Sequence, residues 1–128
     1  MYIKEVAKKL KVTTRTIRHY EELGVVESRR LDNNYRYFNE ENIDKLKFIV
    51  KARNLAFSID ECKELIKLFK DNNRQSAQVR DIAKTKLEMI SIKIKELASL
   101  KSSLQQLVDK CPGNDKPDCP IIDELSKN

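Results

Sequence analysis

A stretch of more than thirty residues without Gly or Pro, from Ser76 to Val108, constrains the fold of this chain most. Its apolar residues alternate in steps of three and four: Ala83, Leu87, Ile90, Ile94, Leu97, Leu104 and Val108, with Lys101 as the polar member of the series. This spacing predicts one long helix with a narrow apolar seam. A helix that projects from a small domain cannot bury such a seam alone, so the pattern predicts a homodimer held by a coiled coil. The spacing leaves open whether the two helices run parallel or antiparallel.

The first residues predict a helix-turn-helix. Apolar residues with helical spacing are Ile3, Val6, Ala7 and Leu10. Thr13 is placed to cap a second helix that ends near Leu23, and Gly24 suits the left-handed conformation that often follows a helix. The second helix carries Arg15, Thr16, Arg18, His19 and Tyr20. Two short helices joined by a tight turn are typical of this DNA-binding motif.

A short β-leaning segment follows. The polar turn Asp32-Asn33-Asn34 separates residues 29–31 from the aromatic and basic residues 35–38, which favours a small hairpin. A helix-turn-helix followed by a basic hairpin predicts a winged helix-turn-helix.

Two further helices are predicted behind this wing. Asn39 is placed to cap the first, and its buried stripe is Ile43, Leu46, Ile49 and Val50. Ser58 and Glu61 have capping-box spacing for the second, which has Cys62, Leu65, Ile66 and Phe69 on one apolar face. On that face Cys62 is interpreted as a small buried apolar residue.

The chain is thus expected to be mainly α, with three parts. Residues 1–70 form a winged helix-turn-helix DNA-binding domain with a second helix pair, and residues 76–109 form the dimerisation helix. Residues 110–128 form a metal-binding loop and a short C-terminal helix.

The charge is uneven along the chain, whose net charge is +6. Residues 1–53 carry 13 Lys and Arg against 8 Asp and Glu, whereas residues 111–128 carry 2 against 4. A basic front end suggests a polyanionic partner. Because no apolar run is long enough for a bilayer and no export signal begins the chain, a cytoplasmic protein without a membrane partner is expected.

The strongest chemical signal is the pair Cys111 and Cys119, which encloses a loop with Gly and Pro. The chain has one His, so a site with several His ligands within one chain is excluded. Two soft thiolates without further donors suit a linear monovalent ion, which is Cu(I), with Ag(I) or Au(I) as mimics. A disulfide or two idle thiols remain the alternatives. Pro120 suits the first position of a short helix whose amides would stabilise a thiolate at Cys119.

Four arginines are candidates to bind DNA phosphates, with Tyr20 and Tyr35 beside them: Arg15, Arg18, Arg36 and Arg53. The alternative is an ordinary solvated basic surface. For Ser76 the simplest role is that of a cap on the long helix.

These residues together resemble the MerR family. The resemblance rests on residues 3–10, on TTRTIRHYEELG over residues 13–24, on NYRYF over residues 34–38 and on FSIDE over residues 57–61. The tail CPG…DCPII over residues 111–122 resembles the copper-efflux-regulator (CueR) branch. Two positions depart from the family pattern, because Asn34 and Ala56 stand where Gly is usual. Asn adopts positive φ at small cost, whereas Ala56 puts the local turn in question.

The resemblance implies that the second helix enters the major groove of promoter DNA. The DNA-binding set would be Arg15, Thr16, Arg18, His19, Tyr20, Asn34, Tyr35, Arg36 and Arg53. It also implies an antiparallel homodimer in which Ser76 reaches the metal loop of the partner protomer. Relatives that respond to divalent ions carry Cys at that position, so Ser76 favours a monovalent metal.

The implied function is a copper-responsive regulator that acts with RNA polymerase at the promoter, activating copper-efflux genes by distorting the DNA. Two other functions are compatible with the residues, namely a regulator that responds to thiol oxidation and a Cu(I)-buffering protein. An enzyme is not expected, since no catalytic triad, carboxylate pair or Gly-rich phosphate loop is recognisable.

Overall fold

Six helices and one two-stranded hairpin make up the chain, and the computed structural model describes all of residues 1–128. In order, the elements are α1 (Ile3–Leu10), α2 (Thr14–Glu22), β1 (Arg29–Arg30), β2 (Arg36–Tyr37), α3 (Glu40–Asn54), α4 (Ile59–Lys70), α5 (Ser76–Lys110) and α6 (Pro120–Ser126). This arrangement confirms the predicted mainly α class with a small wing. The chain divides into two compact units, Met1–Asp81 and Ile82–Asn128. None of the helices combines the length and apolar character that crossing a bilayer requires.

The predicted cap is present on α2, the second helix of the helix-turn-helix, which we call the recognition helix. The Thr13 side chain accepts a hydrogen bond from the Thr16 backbone N–H at 3.1 Å, which satisfies one of the free amides of the first turn. After the helix, Gly24 has a φ of 76°. A positive φ of this kind costs little at glycine, so the chain turns here directly toward the wing.

Helices α3 and α4 both begin with a capping box. The Asn39 side chain accepts from the Asn42 backbone N–H at 2.8 Å, and the Asn42 side chain accepts from Asn39 in return. Ser58 and Glu61 form the same reciprocal pair at the start of α4. These local bonds fix where the two helices begin, at the positions expected from the sequence.

The wing hairpin is antiparallel, with Arg29 opposite Tyr37 and Arg30 opposite Arg36. Side chains that lie directly opposite in such a pair share one face of the sheet. The structure therefore places Arg30 and Arg36, two like charges, side by side.

The first two residues add a further strand-like pairing to the wing. Met1 and Phe38 exchange two backbone hydrogen bonds of 2.8 Å, and Tyr2 forms an isolated bridge with Tyr37. The Tyr2 ring also meets the rings of Tyr35 and Tyr37 edge to face, with centroids 6.4 and 5.7 Å apart. This pairing was not expected from the sequence.

One hydrophobic core holds the first unit together. Its buried members come from α1, α2, α3, α4 and the segments that flank the hairpin: Val6, Ala7, Ile17, Tyr20, Val25, Val26, Phe38, Ile43, Leu46, Ile49 and Ile66. Cys62 is fully buried, as expected for a small apolar residue. The recognition helix is thus anchored through Ile17 and Tyr20, while its basic residues stay at the surface.

Three details go beyond or differ from the sequence-based expectation. Phe69, the last residue of the apolar face of α4, is 50% exposed because it lies near the end of the helix, where its ring contacts Phe48 at a centroid distance of 5.1 Å. Val50 is half-buried. Ser76 is the first residue of α5 instead of its preceding cap, so the helix extends from Ser76 to Lys110.

Candidate functional site

The recognition helix α2 lies between two clefts of the first unit. One cleft, of about 620 Å³, is lined by Arg15, Thr16, Arg18, His19, Tyr20 and Arg53, together with Glu22 and Ile59. The other, which we call the wing-side cleft, has a volume of about 540 Å³ and is lined by Tyr2, Lys4, Arg18, Asn33, Tyr35 and Arg36, together with Ile3 and Glu5. Arg18 lines both clefts. The structure therefore brings most of the expected DNA-binding residues onto one basic surface around α2.

Arg36 of the wing is joined to the recognition helix. Its Nε lies 2.9 Å from Oε2 of Glu21, and both atoms are shielded from solvent. The other carboxylate oxygen of Glu21 accepts a 2.7 Å hydrogen bond from the Ser28 hydroxyl. The carboxylate thus connects α2, the segment before the wing and β2.

Three other expected residues already have partners within the chain. Arg53 donates from Nη1 to the Phe57 carbonyl at 2.9 Å, at the turn between α3 and α4. The Thr16 hydroxyl lies 2.8 Å from the Thr13 hydroxyl. Tyr20 is only 8% exposed and belongs to the core, so it differs from its exposed neighbours on α2.

At the wing tip, Asn34 has a φ of 65° and its carbonyl accepts a 2.9 Å hydrogen bond from Nη1 of Arg30. The turn is closed by a hydrogen bond from the Asn34 N–H to the Leu31 carbonyl at 2.8 Å. Tyr35, next to it, is largely exposed. The wing therefore presents an aromatic ring and arginines in fixed positions.

A second candidate site lies at the loop after α5. The sulfurs of Cys111 and Cys119 are 3.4 Å apart, and both cysteines are half-buried free thiols. A disulfide has a sulfur–sulfur distance of about 2.05 Å, so the two thiols are in contact without being bonded. Cys119 is the N-cap of α6, and Pro120 occupies the first turn as expected.

The start of α6 makes Cys119 more acidic. Its pKa is lowered from the usual value of 9.0, first because the Ile122 backbone amide donates a hydrogen bond to the sulfur. The Cys111 side chain and the Ile121 amide act in the same direction, against a smaller opposing effect of burial and of Asp123. The N-terminus of α6 therefore favours a thiolate, which is the form of cysteine that binds metal ions.

The donor set at this loop consists of the two sulfurs. Within residues 1–128 no group of three or more His, Cys, Asp or Glu side chains is gathered for a metal ion. Two thiolates without oxygen or nitrogen donors fit a soft ion of low coordination number and do not fit a four-ligand zinc site.

Ser76 lines a separate cleft in the first unit, of about 700 Å³, with Asn72, Arg74, Val79 and Arg80. Two arginines in this cleft give it a positive character. The sequence-based prediction that Ser76 reaches the metal loop of a partner protomer stays a prediction.

Sequence reasoning missed Glu21 and Ser28 as partners of Arg36, and Tyr2 and Lys4 as lining of the wing-side cleft. Glu21 lies 15 positions before Arg36 in the chain. No local sequence pattern links residues so far apart, because only the tertiary packing of the hairpin against α2 brings them together.

Comparison with known proteins identifies clear relatives. The family description "MerR HTH family regulatory protein" matches residues 1–68, and "MerR, DNA binding" matches residues 43–107. The transcriptional regulator HmrR of Rhizobium leguminosarum bv. viciae is 45% identical over 98% of both chains. CueR of Salmonella typhimurium is 42% identical over 98% of this chain and 92% of its own. Among solved structures, PbrR691 of Ralstonia metallidurans CH34 in complex with lead(II) has a TM-score of 0.78 at 26% identity, over 98% of this chain and 99% of its own.

Proposed function

Because the chain belongs to the MerR family of helix-turn-helix regulatory proteins, we propose that it is a metal-responsive transcriptional regulator. In this proposal it binds promoter DNA as a homodimer and activates copper-efflux or detoxification genes when it binds Cu(I). Ag(I) and Au(I) would act as mimics of Cu(I). The observation that carries the proposal is the thiol pair, with Cys111 and Cys119 in sulfur contact at the start of α6.

The choice of a monovalent soft ion is supported by the donor set. Cu(I) prefers thiolate ligands and can be coordinated by two of them, and this loop has two cysteines and no third donor gathered with them. The lowered pKa of Cys119 supports the same choice, since metal binding requires the deprotonated sulfur. The 42% identity to CueR supports the copper-responsive branch, whereas PbrR691, at 26% identity, was solved with lead(II).

DNA binding is supported by the two clefts beside α2. The recognition helix would enter the major groove, where exposed Arg15, Arg18 and His19 reach base edges or adjacent phosphates. Arg36, Tyr35 and Asn34 of the wing, with Thr16, Tyr20 and Arg53, would contact or position the sugar-phosphate backbone. Such contacts set register and affinity, whereas base contacts provide specificity.

The homodimer is supported by the exposed seam of α5. Leu87, Ile94, Leu97 and Leu104 are all more than half exposed in a single chain, which is a state that an apolar seam does not keep in water. In the proposed antiparallel pair, Ser76 of the partner subunit would lie beside the metal loop. The proposed division into a DNA-binding part (1–70), a dimerisation helix (76–109) and a metal loop (110–128) follows from this arrangement.

Activation would work through the shape of the DNA and not through new base contacts. A dimer that bends and untwists the promoter changes how RNA polymerase meets its two recognition elements, at a deformation cost on the order of 1–6 kcal/mol. Bound metal would offset part of that cost by favouring the deforming state of the dimer. The coupling is reciprocal, so DNA and metal alter each other's affinity by the same factor.

The test is footprinting and in vitro transcription on the DNA that flanks the gene for this chain, with and without Cu(I). Wild type is expected to protect one site under both conditions and to activate transcription only with Cu(I). Cys111→Ser and Cys119→Ser are expected to keep the footprint and lose the activation. Cys62→Ala is the matched control, because Cys62 is buried in the first unit and its loss should leave the metal response intact.

The same assay separates the competing functions. Activation by an oxidant such as diamide, with no effect of Cu(I), would favour a thiol-oxidation regulator, which the contact between the two sulfurs also allows. Metal binding without a footprint would favour a Cu(I)-buffering protein. A full Cu(I) response in Cys111→Ser would contradict the site assignment.

A further inference from the structure

The recognition helix carries a carboxylate on the side where the wing meets it, which is unexpected for a surface that binds a polyanion. Glu21 lies in the last turn of α2, three residues after Arg18, and its carboxylate contacts Arg36 of the wing. By simple electrostatics, a negative charge at this place opposes the approach of phosphates. Its presence therefore requires a compensating role.

The contacts of Glu21 identify that role. One carboxylate oxygen lies 2.9 Å from Nε of Arg36, with both atoms shielded from solvent, and the other accepts the Ser28 hydroxyl at 2.7 Å. A guanidinium has five N–H donors, of which one is on Nε. This contact is an ion pair by distance and does not have hydrogen-bond geometry. Because Nε is the guanidinium atom that lies against Glu21, the Nη1 and Nη2 groups are the part of Arg36 that remains for a phosphate in the wing-side cleft.

The hairpin register adds a reason why Arg36 needs this contact. Arg36 lies directly opposite Arg30, and like charges in such a pair repel each other. Arg30 is held by the Asn34 carbonyl at 2.9 Å, while Arg36 is held by Glu21. Each arginine therefore has its own oxygen partner within the chain, a hydrogen-bonded carbonyl for Arg30 and an ion-paired carboxylate for Arg36.

We propose that Glu21 is a positioning residue for DNA binding, which holds Arg36 in the orientation that contacts a backbone phosphate. The inference rests on the proposed DNA-binding function. Arg side chains lose much rotamer freedom when they bind, and a side chain that is already held loses less. The gain from this orientation exceeds the repulsion between the Glu21 carboxylate and the DNA.

The test compares two substitutions that change the net charge equally. Glu21→Ala and Glu22→Ala each remove one negative charge from the same turn of α2, but Glu22 faces the other cleft. Affinity is measured by fluorescence anisotropy over a series of salt concentrations. The probes are a labelled duplex that covers the footprinted region and a scrambled duplex of the same length.

Glu21→Ala is expected to weaken binding to both duplexes by roughly three- to tenfold, although the protein becomes more positive. The slope of log affinity against log salt should become shallower by up to about 0.9, the value for one phosphate contact. Glu22→Ala is expected to tighten binding modestly. Glu21→Gln keeps a neutral acceptor for Arg36 and should lie between wild type and Glu21→Ala.

A second arm uses the Arg36→Ala background. There Glu21 has no arginine to position, so Glu21→Ala should no longer weaken binding and should tighten it as Glu22→Ala does. Equal tightening by Glu21→Ala and Glu22→Ala in the otherwise wild-type protein would overturn the inference. If circular dichroism shows that Glu21→Ala does not fold, the same comparison is made with Glu21→Gln. Failure of the wild-type protein to bind either duplex would instead refute the proposed function.

Discussion

Ala56 has a φ of 70° in the turn between α3 and α4, where a side chain is strained. Asn34 and Lys11 also have positive φ, of 65° and 57°. For an L-residue this conformation costs roughly 1–2 kcal/mol, less for Asn. The hydrogen bonds around Ala56 hold it there, since its N–H donates to the Arg53 carbonyl at 2.9 Å and the next N–H donates to Ala52 at 3.1 Å. The chain thus keeps a left-handed turn at this position without a glycine.

Ala56→Gly is therefore expected to raise the free energy of unfolding by about 0.5–1 kcal/mol, after the greater entropy of glycine in the unfolded chain is counted. Urea denaturation measures it. Gly24→Ala is the reciprocal control, because Gly24 has a φ of 76° and an added Cβ would meet no atom within 4 Å. Gly24→Ala should lower the free energy of unfolding by a similar amount, from backbone strain alone. A destabilised Ala56→Gly would contradict this account of the turn.

How far single residues could be predicted depended on the distance between partners in the chain. The caps Thr13, Asn39 and Ser58 were predicted because a cap and its amide lie within three residues. The closeness of Cys111 and Cys119 followed from the short loop between them, which contains two prolines and a glycine. Glu21 and Arg36 were not linked, because only the folded hairpin brings them together.

Among the elements, α5 combines great length with an apolar seam that a single chain leaves exposed. Sequence spacing predicted its extent to within two residues of its end at Lys110, because helical period and the absence of Gly and Pro are strong local signals. The pairing of Met1 and Tyr2 with the wing was missed, since two residues carry no alternation. Phe69 shares the apolar face of α4 with Cys62 and is half exposed, because residue spacing gives the face of a helix and not the point where the core ends.

The seam of α5 makes a specific prediction about Leu97 and Ile92. Both are similarly exposed in one chain, at 62% and 56%, yet they lie about 140° apart around the helix. In the proposed dimer only Leu97 is buried, so Leu97→Lys should weaken dimerisation by about a hundredfold or more, because both protomers lose an apolar contact. Ile92→Lys should leave the dimer intact. Sedimentation velocity over a dilution series distinguishes them, and equal behaviour of the two variants would contradict the seam.

For the whole molecule, the proposed function requires three parts to act together: the basic surface around α2, the seam of α5 and the loop that carries Cys111 and Cys119. The first unit is well defined by its own core, and its fold class, wing and family membership were all predicted from the sequence. The choice of Cu(I) rests on fewer observations, namely two sulfurs in contact, a helix N-terminus beside one of them and the lack of other donors gathered at the loop. Relatives with the same fold include a protein solved with lead(II), so the fold alone does not select the metal.

X-ray absorption spectroscopy of the purified protein loaded anaerobically with Cu(I) tests the metal site most directly. One copper per chain is expected, with a first coordination shell of two sulfurs and no oxygen or nitrogen, and this signal should vanish in Cys111→Ser and Cys119→Ser. Copper held through oxygen or nitrogen, copper retained equally by both variants, or no retained copper would contradict the proposed metal site.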